Sequence, residues 1–363
     1  MMMNKNLVMN KDYLVPLLRK LAKTHRLVAP VRNEYGDTLF TIITDLDRTE
    51  IDLDHQPQAS LKPYFFPQTD TLCRYVIDCD PATGAMDYSF HVQLPQNRPT
   101  VYVGVRSCDM FAVMYTDMVF LHEHERDVYY KQRRDNAIFI TIACNTPFDN
   151  CFCNATRSGP FLESGFDLQL TDLGDRWFVE TGRARGAGLT EDWACFFRPA
   201  DEADKRAQFQ AELEARGRFK QLVHVDLASK LLAEDKVPES IFRDLSSRCQ
   251  DCGGCAFICP TCTCFNITDQ PRDEAGGERV RSWDACTFSG FTAMAGGHNS
   301  VDVETGRIRR RFLHKLQYDV DRHGRPSCVG CGRCVGMCFG GVDMIRFISM
   351  ISEAGENGAE AGE

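Results

Sequence analysis

Cys249-Gln250-Asp251-Cys252-Gly253-Gly254-Cys255-Ala256-Phe257-Ile258-Cys259-Pro260 decides how the last third of this chain is built. Its spacing, C-x2-C-x2-C-x3-C, returns in Cys328-Val329-Gly330-Cys331-Gly332-Arg333-Cys334-Val335-Gly336-Met337-Cys338. That pattern is the bacterial one for thiolate ligation of a 4Fe–4S cluster. The two-residue gaps let one tight loop wrap three corners of a cubane, and the fourth Cys points away. In two-cluster ferredoxins that fourth Cys serves the other cluster. The rule assigns Cys249, Cys252, Cys255 and Cys338 to cluster 1, and Cys328, Cys331, Cys334 and Cys259 to cluster 2. Gly253, Gly254, Gly330 and Gly332 let backbone N–H groups approach the sulfurs. Structural zinc suits the pattern poorly, because zinc motifs usually bring two ligands per loop.

The chain has 363 residues and 18 Cys, more than packing alone requires. Cytosolic thiols stay reduced, so the count points to metal sites before disulfides. No signal segment opens the sequence and no apolar run approaches 18 residues, so a cytoplasmic protein without a membrane span is expected. The net charge of −9 argues against nucleic acid as a partner.

Outward from the motifs, residues 1–235 read as an α/β domain. Tyr13, Leu14, Leu17, Leu18 and Leu21 have helical spacing, predicting a helix near 11–23. Thr38–Thr44 reads as a strand. Val101–Val105 and Ala137–Ile142 are short, β-rich apolar runs that read as buried strands, with a helix over Asp109–His122 between them. Asp167–Leu170 and Trp177–Glu180 predict a hairpin, and Asp201–Arg216 and Val223–Ala233 predict helices. Residues 236–348 read as a mainly helical, two-cluster ferredoxin-like domain. Sixty-eight residues, Pro260 to Ser327, separate its motifs and form an insertion for which helices are expected. Residues 349–363 read as an acidic, disordered tail. Within the insertion, the run Arg307, Arg309, Arg310, Arg311 and Lys315 can offset the charge of anionic reduced clusters or dock an acidic partner, against the alternative of a solvated helix face paired with local acids.

A candidate third metal site comes from strand ends. Cys108 and Cys144 closely follow the two apolar strands, at the carboxyl edge where open α/β sheets bind ligands. Cys151 and Cys153 lie in the next loop, so four thiols can converge, against the alternative of four inert buried cysteines. Cys73, Cys79 and Cys195 read as packed structural residues. Cys262, Cys264 and Cys286 are left as supporting thiols or replacements for a motif ligand. His122 and His124 read as an exposed helix. No dinucleotide glycine fingerprint, Walker loop or nucleophilic triad occurs, so no catalytic residue is assigned.

Cys259-Pro-Thr-Cys262-Thr-Cys264, Trp283-Asp-Ala-Cys286, Ala295-Gly-Gly-His-Asn299 and the Cys328–Cys334 run, in that order, resemble one family. Ser107-Cys108-Asp109 and Cys151-Phe-Cys153 do so as well. The family is the iron–sulfur beta subunit of cytosolic NADP-linked nickel–iron hydrogenases (sulfhydrogenases), to which the A subunit of anaerobic sulfite reductase is closely similar. The resemblance runs from about Leu27 to Phe347. It implies an electron-transfer subunit, relaying electrons between a flavin-containing NAD(P)H diaphorase subunit and the nickel–iron hydrogenase small and large subunits. In the sulfite reductase branch the catalytic partner is a sirohaem subunit. Asn154–Leu189, with Gly165-Phe-Asp167, looks more like the hydrogenase branch. Phe339 departs from the pattern, which has Pro after the last Cys. A self-contained FAD-binding oxidoreductase is the competing reading, disfavoured by the missing glycine fingerprint.

Overall fold

The computed structural model describes residues 5–96, 98–273 and 275–360. Twelve strands are β1 (Asn6–Asn10), β2 (Arg26–Arg32), β3 (Thr38–Ile43), β4 (Thr69–Cys79), β5 (Met86–Val92), β6 (Thr100–Arg106), β7 (Ala137–Ile142), β8 (Leu168–Asp172), β9 (Arg176–Thr181), β10 (Arg198–Pro199), β11 (Phe265–Asp273) and β12 (Gly276–Trp283). Ten of these lie at or before residue 199. Eight strands form one mixed sheet in the order β10-β1-β9-β8-β7-β6-β2-β3. Its centre, β2, β6, β7 and β8, is parallel. Every residue of β6 and β7 is buried. That is what near-continuous Val/Ile runs produce when both faces of a parallel sheet are covered.

Helix Ser107–Phe120 leaves β6 without an intervening loop and returns the chain toward β7, giving the expected β–α–β unit. Gly104 (φ +69°) marks a register shift inside β6. A Cβ there would fall 2.7 Å from the Leu53 side chain, so only glycine lets this strand end bend past its neighbour. The predicted helix at 11–23 forms as Lys11–Tyr13 and Leu14–Leu21, with Leu14, Leu17, Leu18 and Leu21 buried.

The four-stranded antiparallel sheet, β11-β12-β4-β5, joins parts of the sequence far apart. β4 belongs to the first third of the chain and β12 to the insertion. Helix therefore does not dominate the C-terminal region as expected. The first part of the insertion, Phe265–Trp283, folds as a hairpin because a strand from elsewhere offers it a pairing edge. No local pattern in residues 260–327 shows that edge.

The helical part packs helices Val225–Ala233, Glu239–Arg248, Glu304–Leu313 and Met344–Glu360 around Leu232, Phe242, Leu245, Ile308, Phe312 and Phe347. Phe312 and Phe347 stack with centroids 3.8 Å apart. Phe152, from the first half of the chain, is buried in this same core. The acidic tail is helical as far as Glu360, because Phe347, Ile348 and Ile351 anchor the helix before the acidic residues begin. Residues 361–363 lie outside the described residues. His122 and His124 are exposed but follow the end of helix Ser107–Phe120, in a loop.

Candidate metal centres

Helix Glu239–Arg248 delivers the chain directly into the first cysteine loop. There Asp251 (φ +49°) and Gly253 (φ +69°) turn the backbone back on itself. The Asp251 N–H donates to Cys249 Sγ at 3.5 Å. Gly253 is required by contact as well as by φ: a Cβ would sit 2.5 Å from the Phe288 ring. Cys249, Cys252, Cys255 and Cys338 line one cavity, together with Arg248, Ile308, Arg311 and Val342. Cys338 thus faces the first loop, and the Val342 N–H donates to its sulfur at 3.1 Å. This cavity lies nearest the surface: Cys252 is exposed and Phe339, next to Cys338, is 99 % exposed.

A second cavity is lined by Cys259, Cys328, Cys331 and Cys334, and also by Cys255, Cys262, Arg311 and Lys315. Arg311 and Cys255 border both cavities. Cys262 therefore reaches the second cavity beside Cys259. Cys264 and Cys286 meet across the foot of the β11–β12 hairpin, where the Asp284 N–H donates to Cys264 O at 3.0 Å. A hydrogen bond from Cys286 holds the Cys264 thiol down at about 7.

The third group lies against the far side of the second loop. Cys108 is in the first turn of helix Ser107–Phe120 and packs with Cys153, Val329 and Cys331. Burial, then the neighbouring Cys144, Cys151 and Cys331, push the Cys153 thiol well up. Cys151 Sγ donates to Cys331 O at 3.8 Å, and Phe152 N–H to Gly330 O at 2.8 Å. All four thiols, Cys108, Cys144, Cys151 and Cys153, are buried. Arg333 binds both oxygens of Asp109 at 2.6 and 2.9 Å, tying the second loop to the residue after Cys108.

Residues 248–342 match the family model described as a 4Fe-4S dicluster domain. The chain carries a 4Fe-4S dicluster domain. It is also similar along most of its length to the sulfhydrogenase 2 subunit beta of Pyrococcus furiosus, with 26 % identity over 346 residues, 95 % of this chain and 98 % of the relative. The resemblance to hydrogenase beta subunits thus extends well beyond the cysteine loops.

The cavities of the iron–sulfur chain suit clusters in spacing and in charge. A tetrahedral zinc, with Zn–S near 2.3 Å, holds its sulfurs about 3.8 Å apart. Among the described residues no three thiols lie within 4.8 Å of one another. Burial pushes the thiols of Cys328 and Cys151 up to about 12 and that of Cys249 to about 11. Such thiols are neutral at pH 7 by themselves and lose their protons on binding a metal.

The charge argument is sharper. Eight cationic side chains among the described residues are buried. Four face an Asp: Arg134 with Asp117, Arg281 with Asp70, Arg307 with Asp251 and Arg333 with Asp109. Lys62, Arg106, Arg311 and Lys315 have no such ion pair among the described residues, and all four border the thiol groups. Lys62 Nζ donates to Ala256 O (3.1 Å) and Cys262 O (3.4 Å), and lies 3.9 Å from the centroid of the Trp283 ring. Arg106 donates to the Leu53 carbonyl and to Cys144 Sγ, the latter at 3.8 Å. Arg311 donates to Val342 O at 2.8 Å, and Lys315 to Thr261 Oγ1 at 2.8 Å. A buried cation is costly unless an anion faces it. An anionic iron–sulfur–thiolate cluster is such an anion.

The basic run is therefore not a solvated face. Arg307, Arg311 and Lys315 recur every four residues and turn inward, and Arg309 is the more exposed member, pairing with Glu239. Lys315 lies in a wide turn, His314–Tyr318, with i→i+5 bonding, which aims it at Thr261. The i, i+4, i+8 spacing was the available signal; nothing local marks Lys62 or Arg106. Cys79 and Cys195 are exposed and Cys73 is half-buried, so none of the three is packed in the core as expected.

Proposed function

We propose that the chain holds three 4Fe–4S clusters in a row and relays electrons between a flavin subunit that handles NAD(P)H and a nickel–iron hydrogenase catalytic module. The supporting observation is continuity. Arg311 and Cys255 border both the first and second cavities, and Cys331 borders both the second cavity and the third thiol group. Cluster 1 takes Cys249, Cys252, Cys255 and Cys338, and cluster 2 takes Cys259, Cys328, Cys331 and Cys334. Cluster 3 takes Cys108, Cys144, Cys151 and Cys153. When bound, such clusters supply one-electron transfer. The protein supplies four thiolates to each, which leaves no open position for substrate, unlike a catalytic metal site. Its packed loops exclude water, and its buried cations balance the charge. The exposed rim at Cys252 and Phe339 is the face on which one redox partner docks. The hydrogenase partner follows from the sulfhydrogenase relative.

The test is anaerobic loading followed by recombination. The loaded chain is expected to carry about 12 iron, four for each of three cubanes. About 8 iron would remove the third site, and zinc without iron would end the proposal. The lone chain should accept electrons from an artificial donor without oxidising NAD(P)H. Hydrogen-dependent NADP+ reduction should return with the flavin and nickel–iron subunits. Recovery with a sirohaem subunit instead would move the chain to sulfite reduction, and NAD(P)H oxidation by the lone chain would favour a flavoenzyme.

A further inference from the structure

We propose that Arg311 is a shared counter-charge that lets the first and second sites hold an added electron at the same time. We further infer that Lys62 and Lys315 make the second site the more easily reduced of the two. This rests on the cluster assignment above. Arg311 is the only cation that borders both cavities among the described residues. It is buried, and its bond to the Val342 carbonyl leaves its charge without a carboxylate partner. Two neighbouring anionic centres repel, and in a low-dielectric interior each added electron makes the next harder to add. A guanidinium bordering both offsets that repulsion for both.

The remaining cations are distributed unequally. Lys315 lines the second cavity, and Lys62 holds the Cys262 carbonyl on the loop beside it. Arg307, nearer the first loop, is already matched by Asp251. Among the described residues the second site therefore has three cations about it that form no ion pair, and the first has only Arg311. Positive charge near a cluster favours its reduced form, so the second site is the first to fill. Each site takes one electron on the iron it holds, with no bond broken and no proton taken up. The pair comes from a two-electron donor of the reduced-flavin class, which is left oxidised and releases its proton. A chain able to hold both electrons together suits such a donor, because no half-oxidised donor has to wait.

The experiment is a dithionite titration of the iron-loaded full chain, followed by electron paramagnetic resonance, in wild type, Arg311→Met, Arg311→Lys and Lys315→Met. Wild type should show the first and second centres both reduced and magnetically interacting at low potential, beside the signal of the third. Arg311→Met should weaken reduction of both sites at least tenfold, about 59 mV for a one-electron couple, and Arg311→Lys should restore it. Lys315→Met should weaken the second site by a similar factor and leave the first in place. Unchanged potentials in an iron-loaded Arg311→Met chain would overturn the inference. If Arg311→Met loads no iron, Lys315→Met decides: equal shifts at both sites, or none, would overturn it. A wild-type chain that binds no iron would instead overturn the cluster assignment itself.

Discussion

Cys338 stands four residues beyond Cys334, yet it faces the cavity of the other loop. The reason is local. The short helix Arg333–Met337 carries Cys334 inward and ends at Cys338 in extended conformation, so the two sulfurs leave on opposite sides. The Val342 N–H then fixes the Cys338 sulfur. Cys338→Ser is expected to disturb the centre held by Cys249, Cys252 and Cys255 and leave the second centre intact. Site-resolved paramagnetic resonance would check it, and loss of the Cys328–Cys334 centre alone would refute it. At the same scale, Arg333 shows how one residue serves two purposes. It sits inside the second cysteine loop, and its fully buried pair with Asp109 reaches the residue after Cys108. Breaking such a pair from one side costs about 3–5 kcal/mol, since it strands a buried charge.

The elements that matter most are the two loops pressed together, Asn150–Ser158 and Cys328–Gly332. The first loop donates to carbonyls of the second: Phe152 N–H to Gly330 O, and Ser158 Oγ–H to Val329 O at 2.7 Å. Their separation leaves no room for a side chain. A Cβ on Gly332 (φ +72°) would lie 2.2 Å from the Asn150 carbonyl oxygen, and one on Gly330 2.6 Å from Cys153 N. Gly332→Ala is expected to cost the left-handed penalty of about 1–2 kcal/mol and to force the loops apart as well. Iron at both the second and third sites should fall. Gly188→Ala is the contrast. It lies inside helix Ala184–Asp192 with nothing within 4 Å of its Cβ position. That change should stabilise by about 0.5–1 kcal/mol. Melting temperature and iron content of the two variants give the comparison.

For the molecule as a whole, metal and fold are one problem. The second sheet is made from both ends of the chain, Phe152 is buried in the helical core, and Lys62 reaches the Cys259–Cys264 loop from the first half. Separating the chain at residue 235 would break all three. Removing iron leaves Lys62, Arg106, Arg311 and Lys315 buried without an ion pair among the described residues, at a cost of several kcal/mol per ion. That approaches the whole stability of a domain. Stripping the iron with a chelator under reducing conditions is therefore expected to abolish cooperative melting of the C-terminal region and to expose residues 248–342 to proteolysis. A stripped chain that melts like the loaded one would show that the cations find counter-charges elsewhere.

The parts of this protein that repeat on a short period were legible in the residues. Two cysteine spacings identified the dicluster region, and unbroken apolar runs identified β6 and β7. Leucines at helical spacing gave the helix at Leu14–Leu21. Each depends on neighbours a few residues away, and local backbone geometry fixes where such side chains point. Only the tertiary structure decided that β4 pairs with β12, that Phe152 belongs to the other core, and that Arg311 borders both cavities. It also decided between the two readings open for the basic run, by turning every fourth member inward. Those outcomes depend on which surfaces meet across the fold, and on a buried charge finding its anion. Apart from the four-residue spacing of Arg307, Arg311 and Lys315, neither leaves a mark within any one stretch of sequence.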